Sequence, residues 1–222
     1  MSAHDETNPG HTHANAPPRR RGRRARGAVR SALIDAGVEL ARSGGPDAVV
    51  LREVTRMVGV VPNAAYRHFA DRDELLAAVR DAALSQLAQR MAEGMNRVRA
   101  GADTPTGAGL RLRAVGKAYL DFARREPGLF DTAYAATEHP TAGANGEASP
   151  FDHLRTALDG LVRAGLLDTA RRPDIEYPTW ATVHGLATLL RGPLRSLSDR
   201  EKSRLEAETL AFIGAALAER AE

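Results

Sequence analysis

The 222-residue sequence contains no cysteine. Disulfide bonds and zinc sites built from thiolates are therefore excluded, and a reducing compartment presents no obstacle to folding. The sequence also lacks an apolar run near the roughly 18 residues that a membrane span requires. No apolar segment follows the arginine-rich beginning, as it would in a secretion signal. We therefore expect a cytoplasmic protein that has no contact with a membrane.

The common catalytic motifs are also missing. We find no GxSxG elbow, no HExxH pair and no GxxxxGK[ST] phosphate loop, and a cysteine nucleophile is impossible. The acidic residues mostly fall on charged helix surfaces. No window alternates apolar and polar residues in the way a half-buried strand does. The sequence therefore predicts an all-α protein that is not an enzyme and that holds no cofactor or metal.

Positive charge is concentrated at the front of the chain. The formal net charge is only +3, but the first 80 residues carry 13 Lys and Arg against 9 Asp and Glu. The run RRRGRRARGAVR, from Arg19 to Arg30, has a density of arginine that suits polyanion binding by counterion release. Residues 1–25 have almost no large apolar side chain and should be a disordered basic arm. We expect Arg23 and Arg24 of the arm, and Arg26 directly after it, to contact DNA, although a merely solvated basic tail is the alternative.

Four helices are predicted after the arm. Val29, Leu33, Ala36 and Leu40 lie on one face of a helix that starts at Gly27 and stops before Pro46. Short helices should follow at about residues 50–57, ended by Gly59, and at 62–69, begun by Pro62. A fourth helix opens with a capping box of Asp71 and Glu74 and runs towards Val98. Residues 26–75 should thus form a three-helix domain.

The rest of the chain, residues 76–222, is predicted to form a larger helical domain for ligand binding and dimerisation. Residues 100–109 are the best linker candidate, because they are rich in glycine, proline and threonine. Helices should follow at about residues 110–126, 127–137, 150–167, 173–191 and 198–220, with a loop at 138–150.

The short helix from Pro62 has the side chains of a DNA-reading helix. Two short helices joined by a glycine turn and braced by a longer helix can place the second one in the major groove. The small Ala64 lets the backbone come close to a groove wall or a neighbouring helix. Tyr66 and His68 can bond phosphate oxygens, and Arg67 can reach a phosphate or a guanine edge. Arg52 and Arg72 flank this helix and would clamp the DNA backbone.

The fifty or so residues from Ala28 to Val79 resemble the DNA-binding domain of the TetR/AcrR family of transcriptional regulators. The resemblance rests on the glycine turn, on the order tyrosine, one residue, His-Phe, and on the charged cap before Glu-Leu-Leu. It implies that seven residues lie near DNA: Arg52, Pro62, Asn63, Ala64, Tyr66, His68 and Arg72. One departure is Val61, where the family commonly has a serine or threonine cap. Valine cannot accept the free backbone N–H groups, a loss of about 0.5–2 kcal/mol.

A weaker resemblance covers the second half. GKAYLDFARREPGLFDTAY and the later WATVHGLATLL are similar to the WHG ligand-binding domain, with Trp180, His184 and Gly185 as the name-giving residues. Helical spacing places Tyr119 and Phe122 on one face, and Tyr177 on another face together with Trp180 and His184. Phe130 and Tyr134 add aromatic side chains from the short helix between. These aromatic faces line a small-molecule pocket, or form only an aromatic core.

The last helix is apolar on more than one side. Leu205, Thr209 and Phe212 form one stripe, while Ile213 and Leu217 belong to another. Such a helix packs on its own domain and on a partner, which predicts a homodimer through the last two helices. Together these patterns predict a homodimeric repressor that binds a pseudo-palindromic double-stranded DNA operator and is released by a small-molecule effector. The alternatives are a DNA-binding protein whose second half only dimerises, and a helical interaction module.

Overall fold

The computed structural model describes residues 19–135 and 146–218, and within these ranges it contains helices and no strand. The predicted all-α class is confirmed. None of the described helices is long and apolar enough to cross a membrane. The α-helices are α1 (Arg19–Gly44), α2 (Leu51–Val58), α3 (Pro62–Ala65), α4 (Arg72–Asn96), α5 (Pro105–Arg125), α6 (Pro127–Tyr134), α7 (Pro150–Arg163), α8 (Glu176–Arg191) and α9 (Asp199–Ala218).

Helices α1 to α3 and the start of α4 form a head domain around one apolar core. Leu33, Val54, Ala65 and Phe69 are all buried in it. The guanidinium of Arg30 on α1 covers the ring of Phe69 at 5.1 Å, an arrangement that adds a cation–π attraction to the packing. The long helix therefore braces the two short ones, as the sequence predicted.

The turn between α2 and α3 depends on Gly59. This residue has φ 75°, in the left-handed region that side chains disfavour. Its N–H donates to the carbonyl of Thr55 at 2.9 Å, which closes α2 in a left-handed C-terminal cap. The predicted glycine turn is thus present, and it sets the angle between the two short helices.

Two predicted boundaries in the head are wrong. Helix α1 begins at Arg19, so residues 19–25 are helical where disorder was expected, while residues 1–18 lie outside the described part. Helix α3 has four residues and ends at Ala65, whereas we predicted 62–69. The chain continues through hydrogen-bonded turns, in which the N–H groups of His68 and Phe69 both donate to Ala65.

Helix α4 joins the head to a C-terminal body domain without a break. The Asp71 carboxylate accepts from the Glu74 N–H at 2.8 Å, which confirms the predicted start, although Glu74 reaches back to the N–H of Ala70. Leu75 and Val79 are buried in the head core, and Leu87 is buried farther along. The boundary predicted between residues 75 and 76 therefore falls inside one continuous helix.

The connection from α4 to α5 is shorter than the predicted linker at 100–109. The hydroxyl of Thr104 accepts from the N–H of Gly107 at 3.1 Å and caps α5, which starts at Pro105. Gly107 and Ala108 are buried, because the backbone folds back closely over the first turn of this helix. The second half of the expected linker is therefore helix.

Helix α6 presses against the end of α1. A Cβ on Gly128 would overlap the carbonyl oxygen of Ala41 and would lie 2.8 Å from that of Arg42. Just before it, Glu126 accepts hydrogen bonds from Arg42 and from Arg90 of α4, each at 2.8 Å. Burial alone would raise the pKa of the Glu126 carboxyl, but these two arginines hold it below its ordinary value. One ionised carboxylate therefore ties α1, α4 and the α5–α6 junction together.

We expect Gly128→Ala to destabilise the fold by about 1–3 kcal/mol, because the added methyl group forces α6 away from α1. Urea denaturation of the purified protein measures this change. The matched control is Gly109→Ala on α5, where a Cβ meets no atom within 4 Å. That variant should keep or slightly raise the stability, because alanine favours helix. Equal stability of both variants would show that α6 does not approach α1 this closely.

Candidate DNA-binding surface and ligand cavity

The segment from Val61 to Phe69 has one buried and one exposed side. Ala65 and Phe69 anchor it in the head core, whereas the side chains of Val61 and Tyr66 are 69% and 57% exposed. Ala64 and His68 are half-buried at the edge between the two sides. The predicted contact residues Pro62, Asn63 and Arg67 are exposed beside Tyr66. The exposed side therefore presents aromatic, amide and cationic groups together.

Val61 occupies the N-cap position of α3 and provides no side-chain hydrogen bond there. Its backbone is extended, and its carbonyl accepts from the Ala64 N–H at 2.8 Å. Pro62 has no N–H to satisfy, which reduces the number of free donors at this helix start. The missing cap predicted from the sequence is confirmed.

The two flanking arginines have different surroundings. Arg72 donates to the carbonyls of Val49 and Pro46 at 2.8 and 2.7 Å, so it fastens the start of α4 to the turn that precedes α2. Arg52 lies exposed in the first turn of α2 and forms no ion pair with the described residues. A structural role for Arg72 was not apparent from the sequence, because its acceptors are backbone groups more than twenty residues away. Arg52 remains the better candidate for a DNA backbone contact.

The arginines predicted to act in the basic arm belong to the first turns of α1. Arg23, Arg24 and Arg26 lie within that helix, and their side chains fall outside the described part of the structure. Their contact with DNA stays a prediction.

An apolar cavity of about 120 Å³ lies within the body domain. Tyr119, Tyr134 and Trp180, three of the residues predicted to bind a ligand, line it. Further lining residues include Met91, Leu112, Arg113, Phe151, Leu154, Leu161, Thr179, Val183, Leu210, Ile213, Gly214 and Leu217. The walls therefore come from α4 to α9, and nearly all of them are hydrocarbon or aromatic.

A hydrogen-bonded aromatic cluster forms part of the cavity wall and continues behind it. The Tyr119 hydroxyl lies 2.7 Å from Nδ1 of His184, and Nε1 of Trp180 donates to the same hydroxyl at 3.3 Å. Since indole N–H can only donate, the hydroxyl accepts from Trp180 and is free to donate its own proton to a neutral His184. The ring of Phe130 stacks on His184, and Tyr134 packs on its edge.

Burial keeps this cluster uncharged at neutral pH. It raises the pKa of Tyr119 far above its ordinary value and that of Tyr134 to about 12. It lowers the pKa of His184, because the charged imidazolium is disfavoured away from water. The sequence left two interpretations of His184 open: a buried histidine bonded to a carbonyl, or part of a pocket wall. The structure places His184 directly behind the pocket wall. Its ring bonds to a side chain and not to a carbonyl.

Four predicted pocket residues do not line the cavity, and two of them, Phe130 and His184, lie behind its wall. Phe122 is buried on another side of α5, where the guanidinium of Arg90 lies 5.1 Å from its ring. Tyr177 is 52% exposed and contacts Phe151 with a centroid separation of 5.4 Å. Phe151 itself lines the cavity and was missed, because it lies at the start of α7, away from the aromatic stripes. Helix α9 was also missed as a wall, since its two apolar sides were ascribed mainly to dimerisation.

Comparison with known proteins places both domains in one family. Residues 33–79 match the family described as bacterial regulatory proteins, tetR family, and residues 112–218 match the tetracyclin repressor-like C-terminal domain. An uncharacterized HTH-type transcriptional regulator of Haemophilus influenzae is 40% identical over 74 residues. That alignment covers 33% of this chain and 36% of the relative, so the match spans about a third of the curated protein.

Solved structures share the fold at low identity. A protein of unknown function from Rhodococcus sp. RHA1 superposes with a TM-score of 0.65 at 22% identity, covering 86% of this chain and 96% of that one. A putative tetR family regulator from Shewanella sp. PV-4 gives 0.60 at 13%, with coverages of 86% and 99%. The SmeT–triclosan complex gives 0.57 at 18%, with coverages of 85% and 91%.

The fold and its exposed α3 surface define a two-domain helix-turn-helix regulator. The chain belongs to the TetR family. It is accordingly a DNA-binding transcriptional regulator and not an enzyme, which confirms both predictions made from the sequence.

We expect Tyr66→Ala to weaken specific DNA binding at least tenfold while leaving stability nearly unchanged, because this side chain is exposed, is predicted to contact DNA and does not pack in the core. Fluorescence anisotropy with a labelled DNA site measures the affinity. Tyr177→Ala is the matched control, since it removes an equally exposed tyrosine from the other domain. Undiminished DNA affinity of the Tyr66 variant would contradict the placement of this residue at the groove.

We also expect His184 to make the fold less stable in mild acid. The lowered pKa keeps the folded state neutral where the unfolded chain binds a proton, so stability falls as pH drops through about 6.5. Denaturation at pH 7.5 and 5.5 should therefore show a smaller loss for His184→Gln than for the unchanged protein. The comparison variant is His153→Gln, because burial also lowers the pKa of His153. An unchanged pH dependence in His184→Gln would contradict a half-buried, neutral imidazole.

Proposed function

We propose that the protein is a homodimeric repressor that binds a pseudo-palindromic DNA operator in the cytoplasm and leaves it when a small molecule occupies the body cavity. The observation that carries this proposal is the open cavity beside Tyr119 and Trp180. A site filled by side chains would favour the alternative, in which the body domain only dimerises. The cavity in the body domain therefore favours the hypothesis that a small molecule binds there.

The DNA contact is proposed for the exposed side of α3. Asn63, Tyr66 and Arg67 enter the major groove, and the neighbouring Pro62, Ala64 and His68 lie close to it. Arg52 contacts a phosphate from α2, and Arg72 uses N–H groups left over from its backbone acceptors. Arg23, Arg24 and Arg26 in the first turns of α1 add phosphate contacts, whose strength depends on salt.

The dimer contact is proposed for α8 and α9. Phe212 is 65% exposed and Leu189 46% exposed, although both are large apolar side chains. Small residues accompany them on the same exposed faces: Ala181 on α8, and Ala211 and Ala215 on α9. An exposed apolar face of small and aromatic residues suits close packing of helices against a second copy. A two-fold dimer sets its two α3 segments one or more DNA turns apart.

Helix α6 connects the proposed effector site to the head. Its last turn carries Tyr134 on the cavity wall, and its middle carries Phe130 against His184. Its first turn carries Gly128 against the end of α1. A ligand that displaces α6 therefore also displaces α1, and with it the spacing of the two α3 segments. The effector has one affinity for the DNA-bound arrangement and another for the displaced arrangement. The ratio of these two affinities sets how far the effector weakens DNA binding.

A relative of the same fold supports an effector of small size. SmeT was solved as a complex with triclosan. The cavity in the present protein has an apolar lining that suits a compound of comparable character.

The test begins with the operator. The purified full-length protein selects fragments from random double-stranded DNA, and we expect the sequenced fragments to share an inverted repeat. Anisotropy with that site, with and without apolar small molecules, should then identify compounds that lower the affinity at least tenfold. Trp180→Ala should keep the DNA affinity and lose most of this response. A single asymmetric half-site would contradict the two-fold dimer, and DNA affinity indifferent to every cavity ligand would favour the alternative.

A further inference from the structure

The cavity has walls on several helices. They include residues from Gly109 to Tyr119 on α5, which spans roughly 15 Å along a helix axis, and from Leu210 to Ala218 on α9, which spans roughly 12 Å. We call this space of about 120 Å³ the channel. Its apolar lining suits the hydrocarbon part of a small molecule.

The channel wall differs in chemistry from one part to another. One part is aromatic and is formed by Tyr119, Tyr134, Phe151 and Trp180. The Tyr119 hydroxyl is already bonded to His184 and Trp180 there, so a charged group placed beside these rings would lose its hydration without compensation. This part of the wall therefore receives the apolar part of a ligand.

Another part of the wall, nearer the start of α5, carries a cation. Among the described lining residues, Arg113 alone has a charge, and its side chain is exposed. It forms no ion pair within the described part of the chain, whereas Lys117 and Arg124 on the same helix both pair with Asp121. Arg113 lies six residues before Tyr119, roughly 9 Å away along the helix axis. A guanidinium with free N–H groups at the rim of an apolar channel is suited to hold a carboxylate in a bidentate pair.

We infer that the effector is an amphipathic carboxylate, whose apolar body fills the channel and whose carboxylate pairs with Arg113. This inference rests on the proposed function, because it takes the cavity as the effector site. A neutral compound of the same shape leaves Arg113 unpaired, and an amine is repelled by it. The headgroup preference is thus a direct consequence of Arg113, the one cation among the described lining residues.

Three eight-carbon probes test the inference: octanoate, octan-1-ol and octylamine. They share one chain and differ in the headgroup. Trp180 is the only tryptophan in the sequence and lines the channel, so its fluorescence reports occupancy of the full-length protein without DNA. We expect octanoate to bind about fivefold or more tightly than octan-1-ol, and octylamine to bind weakest.

Substitution of Arg113 tests whether this residue causes the preference for octanoate. Arg113→Gln should bring octanoate down to the affinity of octan-1-ol and leave octan-1-ol within about twofold. Arg125→Gln removes an exposed arginine of the same helix that does not line the channel, and it should keep the preference. Equal binding of octanoate and octan-1-ol, a preference retained in Arg113→Gln, or no binding of any probe would overturn the inference.

The same titrations separate this inference from the proposed repression. If octanoate binds in an Arg113-dependent manner and saturation leaves operator affinity unchanged, the ligand class stands and ligand-controlled repression is wrong. If operator affinity responds to neutral ligands but octanoate shows no preference, the repression stands and the ligand class is wrong.

Discussion

The close contact between Gly128 and the last carbonyls of α1 determines how the two domains are joined. Only glycine allows α6 to lie this near to the backbone of Ala41 and Arg42. That proximity brings Glu126 within reach of arginines on α1 and α4. Together with the continuous helix α4, this junction joins the head to the body. A rearrangement inside the body that moves α6 therefore acts on the end of α1 at this junction.

Helix positions were largely predictable, because their signals are local. The cap at Asp71 and the proline at Pro127 mark helix starts that the structure confirms. The wrong boundaries are those that local signals do not determine. The first turn of α5 was predicted to be a linker. Its Gly107 is buried because the preceding turn of the chain folds over it, and this packing is not visible in the local sequence. Helix α3 ends early because Phe69 has to turn into the core.

The binding surfaces were predictable only in part, because the type of a residue does not show which way its side chain points. Tyr119 and Trp180 were found from their spacing, but Phe122 follows Tyr119 by three residues, and the resulting rotation of about 60° turns it towards α4. Arg72 was recognised as a cation, yet its acceptors are distant backbone carbonyls that no spacing rule reveals. Arg113 was not predicted as a site residue, because arginine is common on helix surfaces and the sequence does not show the neighbouring cavity.

The uncapped start of α3 has a consequence for the dynamics of the head. With Val61 giving no side-chain hydrogen bond and only four residues in the helix, the order of this segment comes from the burial of Ala65 and Phe69. Its first amides therefore belong to the part of the head that opens most easily, and they should exchange hydrogen with water early. If DNA covers this surface as we propose, the exchange of those amides becomes slower in the complex.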